Sequence, residues 1–178
     1  MIWITFFSQT GSEIAKLSRI LNRVPDLIIT NRQEHIADIS PDVKNLKTTI
    51  MYGNHDMLMK YLDNQTLYTP EDTLITLHGY LRILPPEICN KYEIYNGHPG
   101  AINIYPELKG KDPQVRAWEG NYSTVGSVVH RVTPGVDEGE VQSAVFADNT
   151  ATTLDEMYGI LTETSLKSWI QFMKEKLK

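Results

Sequence analysis

Two polar side chains lie two positions apart in the stretch YNGHPG, residues 95–100. In an extended chain, residues i and i+2 project to the same face. Asn96 and His98 are therefore predicted to point toward one spot, with Gly97 leaving the opposite side bare. Pro99 favours an extended conformation in the residue before it and would hold His98 in that geometry. An amide and an imidazole suit a reaction in which an oxygen atom gains negative charge.

A carboxylate and a second histidine follow in a turn-rich stretch. Asp137 lies between Gly135 and Gly139 in GVDEGEV, shortly after His130. A carboxylate near an imidazole favours the charged form of the ring, so Asp137 is a candidate to set the charge of His98. Taken singly, a turn aspartate or a lone histidine is more often an ordinary surface or core residue.

Other kinds of catalytic site find little support. The sequence contains no HExxH or His-x-His, and Cys89 is its single cysteine, so no metal site is predicted. It also lacks GxSxG and a plausible setting for a nucleophilic cysteine. The type of catalysis that remains is acid–base catalysis with stabilisation of an oxyanion.

The elements that would position these residues alternate between strands and helices. Apolar runs predict five strands: MIWITFF, DLIIT, TTIMY, DTLITLHGY and YEIYN. Helices are predicted over SEIAKLSRILNRV, NHDMLMKYLDN and the shorter PPEICNK. This alternation predicts an α/β fold, a doubly wound and mostly parallel sheet.

The second half of the chain has a different pattern. STVGSVVHRV and EGEVQSAVFA flank a turn and predict an antiparallel hairpin, and a closing helix runs from about Thr153 to Lys174. No stretch has the composition of a linker, so residues 1–178 are predicted to form one catalytic domain.

A glycine turn opens onto a helix in SQTGSEI, residues 8–14. Free backbone N–H groups and the positive end of the helix dipole would suit an anion there. The alternative is a plain helix start with Ser12 as its N-cap.

A second candidate binding segment is HGYLRILPP, residues 78–86. Leu81, Ile83 and Leu84 follow a strand and would line a flat apolar pocket. The alternative is a core segment with a solvent-facing Arg82.

The composition narrows the class of protein. The chain has 178 residues, 41% hydrophobic and 22% charged, with a net charge of −5. This acidity argues against nucleic acid as the main partner. One cysteine indicates the cytoplasm, and the N-terminal apolar run ends at Phe7, too early for a signal peptide or a membrane span.

In this order the segments resemble the folate-dependent formyltransferases, and most closely the glycinamide ribonucleotide formyltransferases. The likeness is carried by SQTGSEI, GYLRIL, YNGHPG, YPELKGKDPQVRAWEG and VGSVVHRVTPGVDEGEV. It spans most of the chain and is densest from about residue 75 to 142. The resemblance implies a Rossmann-like formyltransferase fold and transfer of a formyl group from 10-formyltetrahydrofolate to an amine, with no metal.

The resemblance also implies roles for individual residues. Asn96 and a protonated His98 would stabilise the oxyanion, Asp137 would hold the charge of His98 and order a proton-relaying water, and His130 would support that loop. Folate would bind along Leu81, Arg82, Ile83, Leu84 and Val136. The acceptor phosphate and ribose would bind at Thr10, Gly11, Ser12, Glu13 and Glu163. Because its carboxylate would repel a second anion, Glu13 is expected to point outward to solvent.

The acceptor half departs from the family pattern. The arginine that reaches the acceptor in the family has no clear counterpart, and His55 and Asp56 occupy that stretch. A small phosphorylated amine, with glycinamide ribonucleotide first, is the expected acceptor and partner. Another amino nucleotide or an amino sugar remains open, as does a non-catalytic folate- or nucleotide-binding module.

Related enzymes of the family are disfavoured by their extra domains. Formyltetrahydrofolate hydrolases carry an N-terminal regulatory domain, whereas this chain starts at its first predicted strand. Methionyl-tRNA and amino-sugar formyltransferases normally append a C-terminal domain, and the acidity of this chain disfavours tRNA.

Overall fold

The computed structural model describes residues 1–35 and 38–178. Contacts between Cα atoms divide the chain into two compact units. The first unit comprises Met1–Asn96 with Val132–Pro134, and the second comprises Gly97–Arg131 with Gly135–Lys178. The single catalytic domain expected for residues 1–178 stays a prediction.

Strands and helices alternate along the first unit, as the sequence pattern predicts. Their bounds in chain order are β1 Ile2–Phe7, α1 Ser12–Leu21, β2 Leu27–Thr30, α2 Pro41–Lys44, β3 Ile50–Tyr52, α3 His55–Asn64, β4 Thr73–Leu77, α4 Pro86–Lys91 and β5 Glu93–His98. Strand β5 continues past the boundary of the unit. The predicted strand over residues 72–80 ends at Leu77, and the four-residue helix α2 was not predicted.

The strands of this unit are parallel and lie in the order β3-β2-β1-β4-β5. The order reverses between β1 and β4, because the chain goes outward from β1 to β3 and then returns to β4. Ligands of open α/β sheets bind beyond the carboxyl ends of the strands at such a reversal. The segments after β1 and β4 therefore lie at the expected place for a binding site.

Helices cover both faces of the parallel sheet. On one face Phe6 packs in a cluster with residues of α3 and α4, such as Leu62 and Ile88. On the other face Phe7 packs with Ile14 and Val43, from α1 and α2. Strands buried on both faces need continuous apolar runs, which explains why β1 is apolar at almost every position.

The second unit contains the antiparallel hairpin and the long closing helix. Its elements are α5 Pro113–Glu119, β6 Thr124–Arg131, β7 Val141–Asp148 and α6 Leu154–Lys176. The two strands pair antiparallel, with a register irregularity between Val129 and His130. The prediction of a mostly parallel α/β sheet with an antiparallel hairpin in the C-terminal half is confirmed. Within the described residues no helix combines the length and apolar character needed to cross a membrane.

Candidate active site

Strand β5 carries both polar residues of the YNGHPG stretch. Asn96 is half-buried and His98 is buried, with His98 ending the strand immediately before Pro99. The expectation that the side of the strand opposite to these residues is bare at Gly97 is wrong. A Cβ atom at Gly97 would lie 2.5 Å from Nε1 of Trp169, so the indole of α6 occupies the space that a side chain would fill.

The imidazole of His98 is held at both of its nitrogen atoms. Nε2 lies 2.9 Å from the carbonyl oxygen of Leu108, which can only accept, so Nε2 carries a hydrogen. Nδ1 lies 3.3 Å from Oδ2 of Asp137. The two side chains are 6% and 11% exposed, so the pair is shielded from bulk water.

Asp137 takes part in more than the contact with His98. Its Oδ2 accepts a hydrogen bond of 2.8 Å from the backbone N–H of Gly110, and its Oδ1 lies 3.2 Å from Nε2 of His130. Its backbone has a φ of 52°, in the left-handed region that aspartate and asparagine tolerate best among residues with a side chain. The glycine-flanked turn thus presents the carboxylate to two histidines.

The hairpin orients the second histidine. His130 is buried, and the irregularity of the β6–β7 register falls immediately before it. Such bulges change the direction of a side chain in a strand. Nδ1 of His130 donates to the carbonyl of Arg131 at 2.9 Å, which leaves Nε2 to face Asp137.

The pKa values of the pair are displaced in the same direction. Burial lowers the pKa of His98 and outweighs the Asp137 carboxylate and the Leu108 carbonyl, both of which raise it. Burial alone would raise the pKa of Asp137, but hydrogen bonds from His130 and Gly110 and the charge of His98 lower it. At neutral pH the arrangement is therefore a carboxylate beside a neutral imidazole that is poised to gain a proton.

In the first unit, the segment after β1 forms the predicted glycine turn. Gly11 has a φ of 73° and is the N-cap of α1, so the alternative interpretation is wrong in taking Ser12 as the N-cap. Ser12 is the first residue of the helix, and its N–H lies 3.3 Å from Oγ1 of Thr10. The positive end of the α1 dipole thus lies at the carboxyl edge of the sheet.

Glu13 does not point outward, and that expectation is wrong. Its Oε1 lies 2.7 Å from Nδ1 of His78, a residue that follows β4 and has a side chain only 1% exposed. On the other side of the ring, Nε2 lies 3.0 Å from Oγ1 of Thr76, which accepts the indole N–H of Trp3. A polar chain therefore runs from the interior of the sheet to the start of α1.

The segment after β4 separates into exposed and buried residues. Leu81 and Ile83 are 68% and 69% exposed, and Arg82 also faces solvent, as the alternative interpretation had it. Leu84 packs in the core, so only its backbone is available to a ligand. The N–H of Leu81 donates to Oγ of Ser8 at 2.9 Å, which ties this segment to the one after β1.

His55 begins α3 in the stretch where the family's arginine is missing. Its Nδ1 lies 2.8 Å from Oη of Tyr80. Burial and the charge of Arg82 lower the pKa of His55. The ring is thus engaged with a phenol of the same unit and does not substitute directly for a free cation.

Two residues assigned to binding by resemblance are surface residues of the second unit. Val136 is 49% exposed beside Asp137. Glu163 lies on α6 and pairs with Lys167 at 2.6 Å. The binding roles of both residues stay predictions.

Sequence reasoning missed two residues that organise these sites. His78 immediately follows the end of β4, and the strand-end argument used for Asn96 would have identified it. Arg116 donates hydrogen bonds to three backbone carbonyls beside His98. No side-chain pattern reveals backbone partners, so that role carries no signal in the sequence.

Comparison with known proteins identifies the family of this chain. Residues 31–168 match the model of the formyl transferase family, and the chain belongs to that family. This match confirms the predicted family and class of enzyme.

Solved structures of similar fold include two formyltransferases and one deformylase. The phosphoribosylglycinamide formyltransferase of Streptococcus pneumoniae TIGR4 is 21% identical, with 99% of each chain covered and a TM-score of 0.83. That of Campylobacter jejuni is 17% identical, with 99% of this chain and 98% of that chain covered and a TM-score of 0.83. A formyltetrahydrofolate deformylase from Pseudomonas syringae is 16% identical over 94% of this chain and 58% of that one, with a TM-score of 0.74.

Proposed function

We propose that this protein transfers the formyl group of 10-formyltetrahydrofolate to the amine of a small phosphorylated acceptor, with glycinamide ribonucleotide as the first candidate. The observation that supports it most is the buried His98–Asp137 pair in a chain of the formyl transferase family. A non-catalytic binding module has no need of a shielded imidazole–carboxylate pair.

The contacts of His98 define which of its atoms changes protonation. Nε2–H is committed to the carbonyl of Leu108, so Nδ1 is the atom that gains a proton. A proton there becomes a hydrogen bond to Asp137, and the imidazolium is stabilised by the adjacent carboxylate. Its positive charge would then favour the negative oxygen of the tetrahedral intermediate.

The remaining steps follow from the chemistry of formyl transfer. The acceptor amine attacks the formyl carbon, the carbonyl oxygen becomes an oxyanion, and the amine loses a proton. When the intermediate collapses, the bond between the formyl carbon and N10 breaks and N10 takes up a proton. We assign Asn96 as the hydrogen-bond donor to the oxyanion, and Asp137 as the group that orders the water through which the proton lost by the amine reaches N10. His98, protonated from solvent before the attack, contributes its positive charge. Removal of one oxyanion donor typically costs about 3 to 4 kcal/mol of activation free energy.

Binding roles complete the proposal. Folate is assigned to the backbone of residues 81–84 with Leu81 and Ile83 as apolar contacts, and Val136 as a further one. The acceptor phosphate is assigned to residues 10–13 at the start of α1, and the ribose to Glu163. No metal is used in any step.

The decisive experiment identifies the product. The purified protein is incubated with 10-formyltetrahydrofolate and a panel of phosphorylated amines, amino nucleotides and amino sugars, and the products are identified by mass. We expect a mass increase of one formyl group on glycinamide ribonucleotide that the His98→Gln variant fails to produce. Release of free formate with every acceptor unchanged would instead indicate the hydrolase, and no consumption of the folate would refute catalysis.

A further inference from the structure

A single guanidinium organises the segment that contacts the His98–Asp137 pair. Arg116 projects from α5 and donates to the carbonyls of Leu108 and Lys109 at 3.1 and 2.8 Å, and also to the carbonyl of Glu107. We refer to residues 107–110 as the carbonyl segment. Three consecutive carbonyls directed to one side chain fix the backbone of a segment that has only a short 3₁₀ turn of its own.

The carbonyl segment contacts both members of the pair. The Leu108 oxygen that accepts from Arg116 is the same oxygen that accepts from Nε2 of His98. Two residues further on, the N–H of Gly110 donates to Asp137. A displacement of this segment would thus release the imidazole and the carboxylate together.

We propose that Arg116 is a positioning residue of the formyl-transfer site, which holds the Leu108 carbonyl against His98 and the Gly110 amide against Asp137. This inference rests on the proposed function, because it assigns Arg116 to the same reaction. A planar guanidinium with several donors in a rigid fork suits this task, and an ammonium group does not reproduce that geometry.

Arg116 also acts on His98 through its charge. The charged and titratable groups that face His98 are Asp137 and His130 from the hairpin side and Arg116 from α5. Burial is the largest influence on the pKa of His98 and lowers it, and the positive charge of Arg116 lowers it further. The Leu108 carbonyl that Arg116 holds raises the pKa of His98 by more than the charge of Arg116 lowers it, so removal of Arg116 should lower that pKa.

The test compares Arg116→Lys and Arg116→Met with Arg19→Met. The control arginine lies in α1 and pairs with Asp42 at the surface, so it matches the substitution without touching His98. The ring signals of His98, identified by their loss in His98→Gln, are followed by NMR as a function of pH. Turnover is measured over the same pH range at saturating folate and acceptor.

For Arg116→Met we expect a lowered pKa of His98, because the Leu108 carbonyl is released, and a fall in kcat on the order of tenfold to a hundredfold. The alkaline limb of the pH profile, where His98 gives up its proton, should move to lower pH. Arg116→Lys retains the charge but not the rigid fork, so it should also lose kcat and lower the pKa of His98. Arg19→Met should resemble the wild type in both measurements.

The two readouts separate this inference from the proposed function. A wild-type titration of His98 and wild-type kcat in Arg116→Met would overturn the role of Arg116, as would a loss of kcat with no change in the titration. If the wild type transfers no formyl group, the proposed function fails. The NMR arm then decides whether Arg116 controls His98: a lowered pKa in Arg116→Met supports the contact through the Leu108 carbonyl, and an unchanged or raised one refutes it.

Discussion

The carboxylate of Glu13 lies 2.7 Å from Nδ1 of the buried His78 and therefore does not face solvent. A free carboxylate at the start of α1 would repel an anion bound by the backbone N–H groups of that turn. The hydrogen bond to His78 draws the carboxylate toward the sheet instead. This contact makes an acidic residue at position 13 compatible with the acceptor phosphate that we propose for the same turn.

His78→Ala should therefore weaken binding of a phosphorylated acceptor. Loss of the imidazole frees Glu13 to turn toward the anion, so we expect the acceptor KM to rise several-fold while the folate KM stays constant. Steady-state kinetics with each substrate varied in turn measures both. Adding Glu13→Gln to His78→Ala should restore much of the acceptor affinity, because the repelling charge is then gone. The exposed His35→Ala is the matched control, and an unchanged acceptor KM in His78→Ala would contradict the argument.

Asp137→Asn should reduce kcat by roughly a hundredfold or more, on the scale expected for groups that act in the transition state. Asparagine tolerates the φ of 52° at this position as aspartate does, so the turn should survive while the negative charge is lost. Circular dichroism checks that the fold survives, and kcat at saturating substrates measures the loss of activity. Asp148→Asn, at an exposed site in β7, should have wild-type kcat. Near-normal turnover in Asp137→Asn would remove Asp137 from the mechanism.

The exposed apolar residues after β4 allow a test of folate binding that does not disturb the core. Leu81→Ser and Ile83→Ser should each weaken binding of a folate analogue, because they remove apolar contact area. Their stability should be unchanged, since both side chains are already more than two-thirds exposed. Leu67→Ser is the control, because Leu67 is 77% exposed in a different segment. Calorimetry that shows equal affinity in all three variants would reject this segment as the folate contact.

A substitution at Gly100 can show how tightly the imidazole of His98 is packed. A Cβ atom there would lie 3.0 Å from Nε2 of His98 and 3.1 Å from Cβ of Pro113, which is closer than ordinary contact. Gly100→Ala should push the ring away from the Leu108 carbonyl and lower kcat, with a stability cost of about 1–3 kcal/mol for overpacking. Gly159→Ala has no heavy atom within 4 Å and lies inside α6, so it should keep full activity and gain about 0.5–1 kcal/mol of stability. Both kcat and the thermal unfolding midpoint are measured for each variant. Equal kcat values would show that the His98 ring adjusts freely to the added methyl group.

Most elements of this fold were predictable because their signals are local, whereas the four-residue helix α2 is too short to show a periodic pattern. Apolar runs gave the five parallel strands, and the glycine-rich turn between two β-rich segments gave the hairpin of β6 and β7. The direction of Glu13 was not predictable, because it depends on a partner 65 residues away. The role of Arg116 depends on carbonyl groups, which every residue has and no sequence pattern distinguishes. Trp169 likewise fills the space beside Gly97 from a helix that is distant along the chain.

Acidification should destabilise the folded protein in two steps. The folded pKa of His98 is below its ordinary value of 6.5, so the unfolded chain binds the proton first as the pH falls through that region. Stability is thus fully present above about pH 6.5 and declines below it, at about 1.4 kcal/mol for each pKa unit by which the two states differ. The folded pKa of Asp137 is below its ordinary value of 3.8, so its contribution to stability is lost only at more acidic pH.

Denaturant titrations at a series of pH values measure both steps. His98→Gln should reduce the first step, to which His55 also contributes because its pKa is lowered by burial, and should leave the second step, whereas His35→Ala should retain both. If stability is independent of pH between neutrality and the range where carboxylates titrate, His98 is not held neutral in the folded protein.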